Sequence, residues 1–219
     1  MVILETVMIN DEEDRWRWKG QHGGDFSVAA FYEDLTKENG TENFPSQIVW
    51  KVSVPYKVKV FMWCLIWGRL LTTDRLRRLG MIIPNRCTLC KIEEETVEHL
   101  FQTCSFTKLV WEAFLNGVGM DGSRYQVTGE IQQWLQGWPK LNSSRWGTVV
   151  WQLTPYAVLW TVWKSKNNVI FNDESLTAEK VVVRAKAIIW YWCLGKEVRR
   201  GHRFSELLHN WVSVVKGVG

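Results

Sequence analysis

Four residues suited to holding a metal ion stand close together in the middle of the chain, in the order Cys87-x2-Cys90-x8-His99-x4-Cys104. No other feature constrains the fold as tightly, because it forces an 18-residue stretch to close on one point. Zinc takes four soft or borderline ligands in a tetrahedron, at about 2.0–2.3 Å. The two-residue gap between Cys87 and Cys90 lets a tight turn aim both sulfurs at one ion. Thr96 and the residues after it have helix-start character, so His99 falls on a helical turn that ends at Cys104. The competing explanation is a core that happens to contain cysteines. Three of the five cysteines and one of the four histidines within this stretch weigh against it. Four protein ligands fill the shell and leave no position for water or substrate, so the spacing predicts one structural Zn2+, not a catalytic one.

The cysteine count is odd, and no cleavable apolar leader is read at the start, where the acidic run Asp11 to Asp14 follows a few apolar residues. A reducing compartment is therefore expected, nucleus or cytoplasm and not secreted, where a cysteine pair more often means metal than disulfide. Cys64 and Cys193 lie in apolar helical stretches and read as core. The apolar runs Val60–Trp67 and Thr148–Trp163 fall short of the roughly 20 residues of a membrane span. Both read as buried helices of a soluble protein, with no membrane partner and no small-molecule substrate.

Charge is unevenly spread. Residues 46–91 carry nine Lys and Arg against one acid, Asp74, whereas residues 1–45 carry four against ten. The basic stretch is where a polyanion would be drawn, which makes Lys57, Lys59, Arg69, Arg75, Arg77, Arg78 and Arg86 candidate contacts to RNA or DNA phosphates. Solvation of helix faces explains several of them equally well. Glu93, Glu94, Glu95 and Glu98 read as a solvated face. Tryptophan is abundant, at 15 copies, and core packing is the favoured role for these rings, Trp63 and Trp67 included.

The periodicity predicts a mainly α protein with a small N-terminal β-hairpin over Arg15–Phe26 and a helix from Ser27. A helix from Pro55 to about Leu70 is apolar nearly all round and should lie deep in the core. A short helix after Thr72-Thr73-Asp74 ends at Gly80, with Leu76 and Leu79 pointing inward. Ser105 can start a helix whose stripe is Phe106, Leu109, Val110, Ala113 and Phe114. Segment 146–170 is expected to kink or restart at Pro155. A further helix begins near Thr177, with Val181, Ala185, Ile188 and Trp192 on one face. A last one carries Leu207, Leu208, Trp211 and Val215. The organisation is thus an N-terminal tail (1–13), a zinc-stapled helical domain (14–115), a Gly/Ser/Asn-rich linker (116–145) with a short helix near Ile131–Leu135, and a second helical unit (146–219).

Several motifs together resemble the zinc-binding domain of reverse transcriptases from plant LINE-type (non-LTR) retrotransposons. They are Trp50-Lys51, Val54-Pro55-Tyr56-Lys57-Val58-Lys59-Val60-Phe61-Met62-Trp63, Gly68-Arg69-Leu70-Leu71-Thr72-Thr73-Asp74-Arg75-Leu76, the four metal ligands and Glu95-Thr96-Val97-Glu98-His99-Leu100-Phe101, with Trp111 beyond. Gly24-Asp25-Phe26-Ser27-Val28 resembles the preceding hairpin. Trp160-Thr161-Val162-Trp163-Lys164 with Asn167-Asn168-Val169-Ile170-Phe171 resembles the following helix, with Lys166 where the family usually has arginine. The resemblance implies a module that holds element RNA or target DNA; docking on a reverse transcriptase or another protein is the runner-up reading. Nucleotidyl transfer needs clustered carboxylates for two metals. The seven aspartates are scattered singly and no Tyr-x-Asp-Asp occurs. The expectation is a non-enzymatic, nucleic-acid-binding fragment of a reverse transcriptase polyprotein. The alternatives are a zinc-stapled protein-interaction scaffold or a retroelement remnant without selected function.

Overall fold

A computed structural model describes residues 45–119 and 130–217 of the chain, which fall in one compact unit, Pro45–Gly219. The hairpin expected over Arg15–Phe26 and the helix expected from Ser27 lie outside the described residues. Among the described residues every regular element is helical. In chain order these are α1 (Ser46–Val49), α2 (Tyr56–Ile66), α3 (Thr73–Arg78), a π-type turn (His99–Thr103), α4 (Ser105–Leu115) and α5 (Ile131–Gln136). There follow α6 (Arg145–Asn172), α7 (Ala178–Trp192), a 3-10 turn (Glu197–Arg199), α8 (Phe204–His209) and α9 (Trp211–Lys216). No helix among the described residues is long and apolar enough to cross a membrane.

The organising element is α6, 28 residues long and buried along most of residues 150–162. Its start is capped by Ser144, whose Oγ accepts a hydrogen bond from the Gly147 amide at 3.0 Å. Asp173 ends it in the left-handed region at φ 48°. Thr177 then caps α7, accepting from the Lys180 amide, and α7 packs back along α6. Helices α4 and α9 close on this pair, so the helices on either side of residues 116–145 share one packed body. Gly147 marks the closest approach. A Cβ there would meet the Val214 carbonyl oxygen of α9 at 2.2 Å, so only glycine fits without backbone movement.

Pro155 does not break α6, contrary to the expected kink or restart. A proline removes the amide that would bond to the carbonyl four residues earlier, here Trp151. The indole N–H of Trp138 supplies the missing donor, 3.2 Å from the Trp151 oxygen. Trp151 returns the contact, its own indole N–H donating to the Pro139 carbonyl at 2.7 Å, and the two rings lie 4.7 Å apart. Other tryptophans work the same way. Trp111 donates to the Phe101 carbonyl and Trp211 to the Phe114 carbonyl, each ring packed in the core and each N–H fastening a neighbouring segment. A buried indole contributes a large apolar area, and its N–H ordinarily finds a hydrogen-bond partner.

Three further expectations shift. The buried face of α4 is Val110, Trp111, Phe114 and Leu115, with Leu109 at 56% exposure, because Trp111 must reach Phe101 and α5. On α7, Ile189 and not Ile188 is fully buried beside Val181, Ala185 and Trp192. The last helix is two, α8 and α9, separated at Asn210.

Replacing Trp138 by phenylalanine keeps most of the ring but orphans the Trp151 carbonyl. The expected cost is about 1–3 kcal/mol, read as a lower urea midpoint with an unchanged denaturant slope.

Candidate metal centre

The centre is assembled from two short pieces. Cys87 and Cys90 sit on a tight turn in which the Lys91 amide donates to the Cys87 carbonyl at 2.8 Å, and the Cys87 amide donates to the Glu93 carbonyl at 2.7 Å. Lys91 takes φ 58°, the left-handed conformation that turns the chain back immediately after Cys90. The second piece is the turn His99–Thr103, closed by the Cys104 amide donating to the His99 carbonyl five residues earlier, at 2.8 Å. The extra residue of a π turn brings Cys104 back beside His99, and such turns concentrate at functional sites.

All four ligand atoms lie within 4.8 Å of one another. The Sγ atoms of Cys87 and Cys104 are 3.8 Å apart, and Cys90 Sγ is 3.3 Å from His99 Nε2. A zinc tetrahedron with Zn–S of about 2.3 Å and Zn–N of about 2.0–2.1 Å has edges of about 3.5–3.8 Å. The donor set and its spacing therefore fit one structural zinc, held by Cys87, Cys90, His99 and Cys104. Cys87, His99 and Cys104 are buried and Cys90 is half-buried.

The fold prepares these donors. Cys104 precedes the first turn of α4. The hydrogen bond it shares with Cys87, followed by the backbone amides of Thr107 and Phe106, draws its thiol down against the opposing effect of burial. Cys87 is pushed up by the same shared hydrogen bond and by desolvation. One thiolate is thus favoured beside a helix start, the form that binds metal. His99 presents Nε2 to the cluster while Nδ1 lies 3.2 Å from Glu93 Oε2 and 3.4 Å from Thr103 Oγ1. A carboxylate behind a ligating imidazole fixes the ring's tautomer and orientation.

Glu95 was expected to be solvated with its neighbours, but it is fully buried. Its Oε1 accepts from the Thr73 amide at 2.9 Å, from Thr73 Oγ1 at 3.1 Å and from Lys166 Nζ at 3.0 Å. The carboxylate so caps α3, where no cap from Thr72 forms. Lys166 comes from α6, is 2% exposed, donates also to the Leu71 carbonyl and lies 4.8 Å from the Trp163 ring centre. The Glu95–Lys166 pair is what fastens the metal loop to the long helix. In the sequence Lys166 is one of two lysines, two residues after Lys164, and nothing there sets it apart until its partner is in view.

The seven basic candidates stand on different elements. Lys57 is exposed on the first turn of α2, and Lys59 donates to the Trp50 carbonyl at 2.6 Å. Arg69 and Arg86 are exposed between elements. Arg75 is half-buried and donates to the Gly68 carbonyl, and Arg78 pairs with Asp74 at 2.8 Å. Arg77 and Arg78 border one shallow concavity of about 570 Å³ with Met81 and Ile82. Leu79, expected inside, is 62% exposed because α3 ends at Arg78 and Gly80 turns the chain away at φ 94°.

Together, fold and site define a helical protein stapled by a closed Cys3His metal centre. Residues 26–111 match the family described as zinc-binding in reverse transcriptase, so the likeness read from the sequence is borne out over that stretch. An Arabidopsis thaliana protein named for ribonuclease H is 27% identical over 184 residues, covering 82% of this chain. The chain spans 28% of that relative's length. No solved structure matches.

Two outcomes follow for the centre. Glu93→Gln weakens zinc binding about tenfold, the low end for an outer-shell carboxylate because this one is largely solvent-exposed, measured by competition with a chromogenic chelator. Glu95→Ala leaves Lys166 buried without its partner and lowers stability by about 3–5 kcal/mol, read by urea unfolding of the zinc-loaded protein.

Proposed function

We propose that this chain is a non-catalytic, zinc-stapled nucleic-acid-binding module derived from a retrotransposon reverse transcriptase, of the plant LINE type. Zinc contributes structure only, by joining a loop that buries little apolar surface of its own, residues 79–98, to the buried turn His99–Thr103. The module, residues 14–115, contacts phosphates of RNA or DNA through Lys57, Arg69, Arg77, Arg78 and Arg86, with Lys59 and Arg75 positioned by their backbone partners. Residues 116–145 connect it to the helical unit 146–219. It carries no polymerase or nuclease chemistry of its own and works inside the cell, in nucleus or cytoplasm.

The observation that supports this most is the contrast of charge. Residues 46–91 hold nine cations and one acid, and that acid, Asp74, already pairs with Arg78. Phosphate contacts of this kind are sequence-independent and weaken with salt. The family match over residues 26–111 and a relative named for ribonuclease H are consistent with a retroelement origin.

A second reading, a protein-interaction scaffold, is favoured by an open groove of about 870 Å³ lined by Trp138, Leu141, Val149 and Tyr156. Such a scaffold would capture a protein partner after nuclease treatment and bind no free RNA.

The test is fluorescence anisotropy with a labelled RNA or DNA oligonucleotide across a salt series. With Arg69, Arg77 and Arg86 changed together to glutamate, affinity falls at least tenfold and the slope of log K against log[salt] flattens by about 2–3. Unchanged affinity and slope would remove the basic contacts from the account.

A further inference from the structure

The three thiols of the metal centre are not equivalent. Cys87 and Cys104 are completely buried, whereas Cys90 is half-buried and is followed by Lys91, Ile92, Glu93 and Glu94, all exposed. Cys90 shares a tight turn with Cys87, closed by the Lys91 amide donating to the Cys87 carbonyl at 2.8 Å. Cys104 belongs to the other piece, beyond the turn His99–Thr103. All four ligand atoms lie within 4.8 Å of one another, so the Cys87 sulfur is already close to that of Cys90. A thiolate within reach of a small oxidant, beside a second thiol able to resolve it, is the arrangement of a redox-sensing pair. Metal coordination keeps these sulfurs as thiolates, the nucleophilic form.

We propose that the centre is a peroxide-responsive latch, with Cys90 as the sensing thiol and Cys87 as the resolving one. Cys90 Sγ attacks one oxygen of hydrogen peroxide; an S–O bond forms, the O–O bond breaks and hydroxide leaves. Cys87 Sγ then attacks the sulfur of the Cys90 sulfenic acid. The S–S bond forms, the S–O bond breaks and a second hydroxide leaves. Each hydroxide takes a proton from solvent to become water, and two electrons have passed from the two sulfurs to peroxide. His99 and Cys104 are then the remaining ligands, two where a structural site needs four, which frees the ion.

The fold converts this chemistry into a change of structure. Leu79, Met81, Ile82 and Ile92 are exposed, so the loop 79–98 has little apolar burial to hold it. Its remaining ties are polar, among them the Cys87 amide on the Glu93 carbonyl and the Glu95 amide on Asn85 Oδ1 at 3.1 Å. A disulfide between Cys87 and Cys90 closes only their own turn and does not join it to His99 or Cys104. Without that join the ordering entropy of the loop is not offset, and it separates from the turn His99–Thr103. Thiol–disulfide exchange with a dithiol reverses the step.

The experiment treats the zinc-loaded full chain with hydrogen peroxide. Freed zinc is read with a chromogenic chelator, thiol state by alkylation and peptide mass mapping, and the loop by amide exchange. Zinc freed and disulfide formed rise in equal amounts, the disulfide maps to Cys87 and Cys90, and amide protection in residues 80–104 is lost. Dithiothreitol with added zinc restores all three. Cys90→His, which supplies a fourth ligand without the thiol, keeps its zinc under the same treatment. Where that variant does not hold zinc, the wild-type map decides alone. Zinc retained at peroxide concentrations that oxidise the unfolded, zinc-free chain overturns the latch. So does a disulfide that leaves Cys90 reduced, oxidation of Cys90 without a disulfide, or zinc release with amide protection unchanged. The latch rests on the reading of these four residues as a zinc centre. Protein that takes up no zinc fails that reading, whereas zinc-loaded protein that resists peroxide fails the latch alone.

Discussion

The convergence of Cys87, Cys90, His99 and Cys104 is the constraint on which the first half of the described structure depends. Residues 79–98 contribute little to any apolar core. Leu79, Met81, Ile82 and Ile92 are all at least half exposed, and Ile82 is fully so. A segment with so few buried side chains cannot offset the conformational entropy of its own ordering. A metal bond is strong enough to do it, since binding energy at a structural zinc is folding energy. Cys87 and Cys104 are completely buried and stand beside Leu100 and Phe101, also completely buried, so the metal centre is the point where the loop joins the hydrophobic interior.

The centre is carried into the rest of the protein by polar contacts in series. Asn85 accepts from the Glu95 amide, Glu95 caps α3 and pairs with Lys166, and Lys166 belongs to α6. One oxygen of Glu95, Oε2, has no hydrogen-bond partner. A single lysine ammonium meets one carboxylate oxygen, whereas a guanidinium offers a fork that spans both. Lysine at position 166 therefore leaves a half-satisfied buried carboxylate. Nearer the start of α6 the indoles of Trp138 and Trp151 act as fasteners, the first closing the carbonyl that Pro155 leaves open.

The metal site was legible because its information is local. Four ligand types within a short span, at spacings that two tight turns can close, specify their own geometry, and the structure brings all four together. Glu95 was not legible. Three consecutive glutamates look alike in sequence, and only the position of Lys166 on a distant helix distinguishes the buried one. The role of α2 was misread for a different reason. Apolar residues all round a helix ordinarily mean full burial, and here they mean one face for the core and one for the surface. Periodicity reports how many faces are apolar, not what covers them. Likewise Pro155 signals a missing donor, and whether the helix breaks depends on a replacement, Trp138, that no local pattern reveals.

One ion at one site closes the first half of the described structure, so metal content is the decisive measurement. Elemental analysis of protein purified under reducing conditions, wild type beside Cys90→Ser, should find one zinc per chain in the first and far less than one in the second. Zinc removal by a chelator should at the same time loosen protection of backbone amides in residues 80–104. Wild-type protein without stoichiometric metal, or a Cys90→Ser variant that keeps its zinc in full, would contradict it.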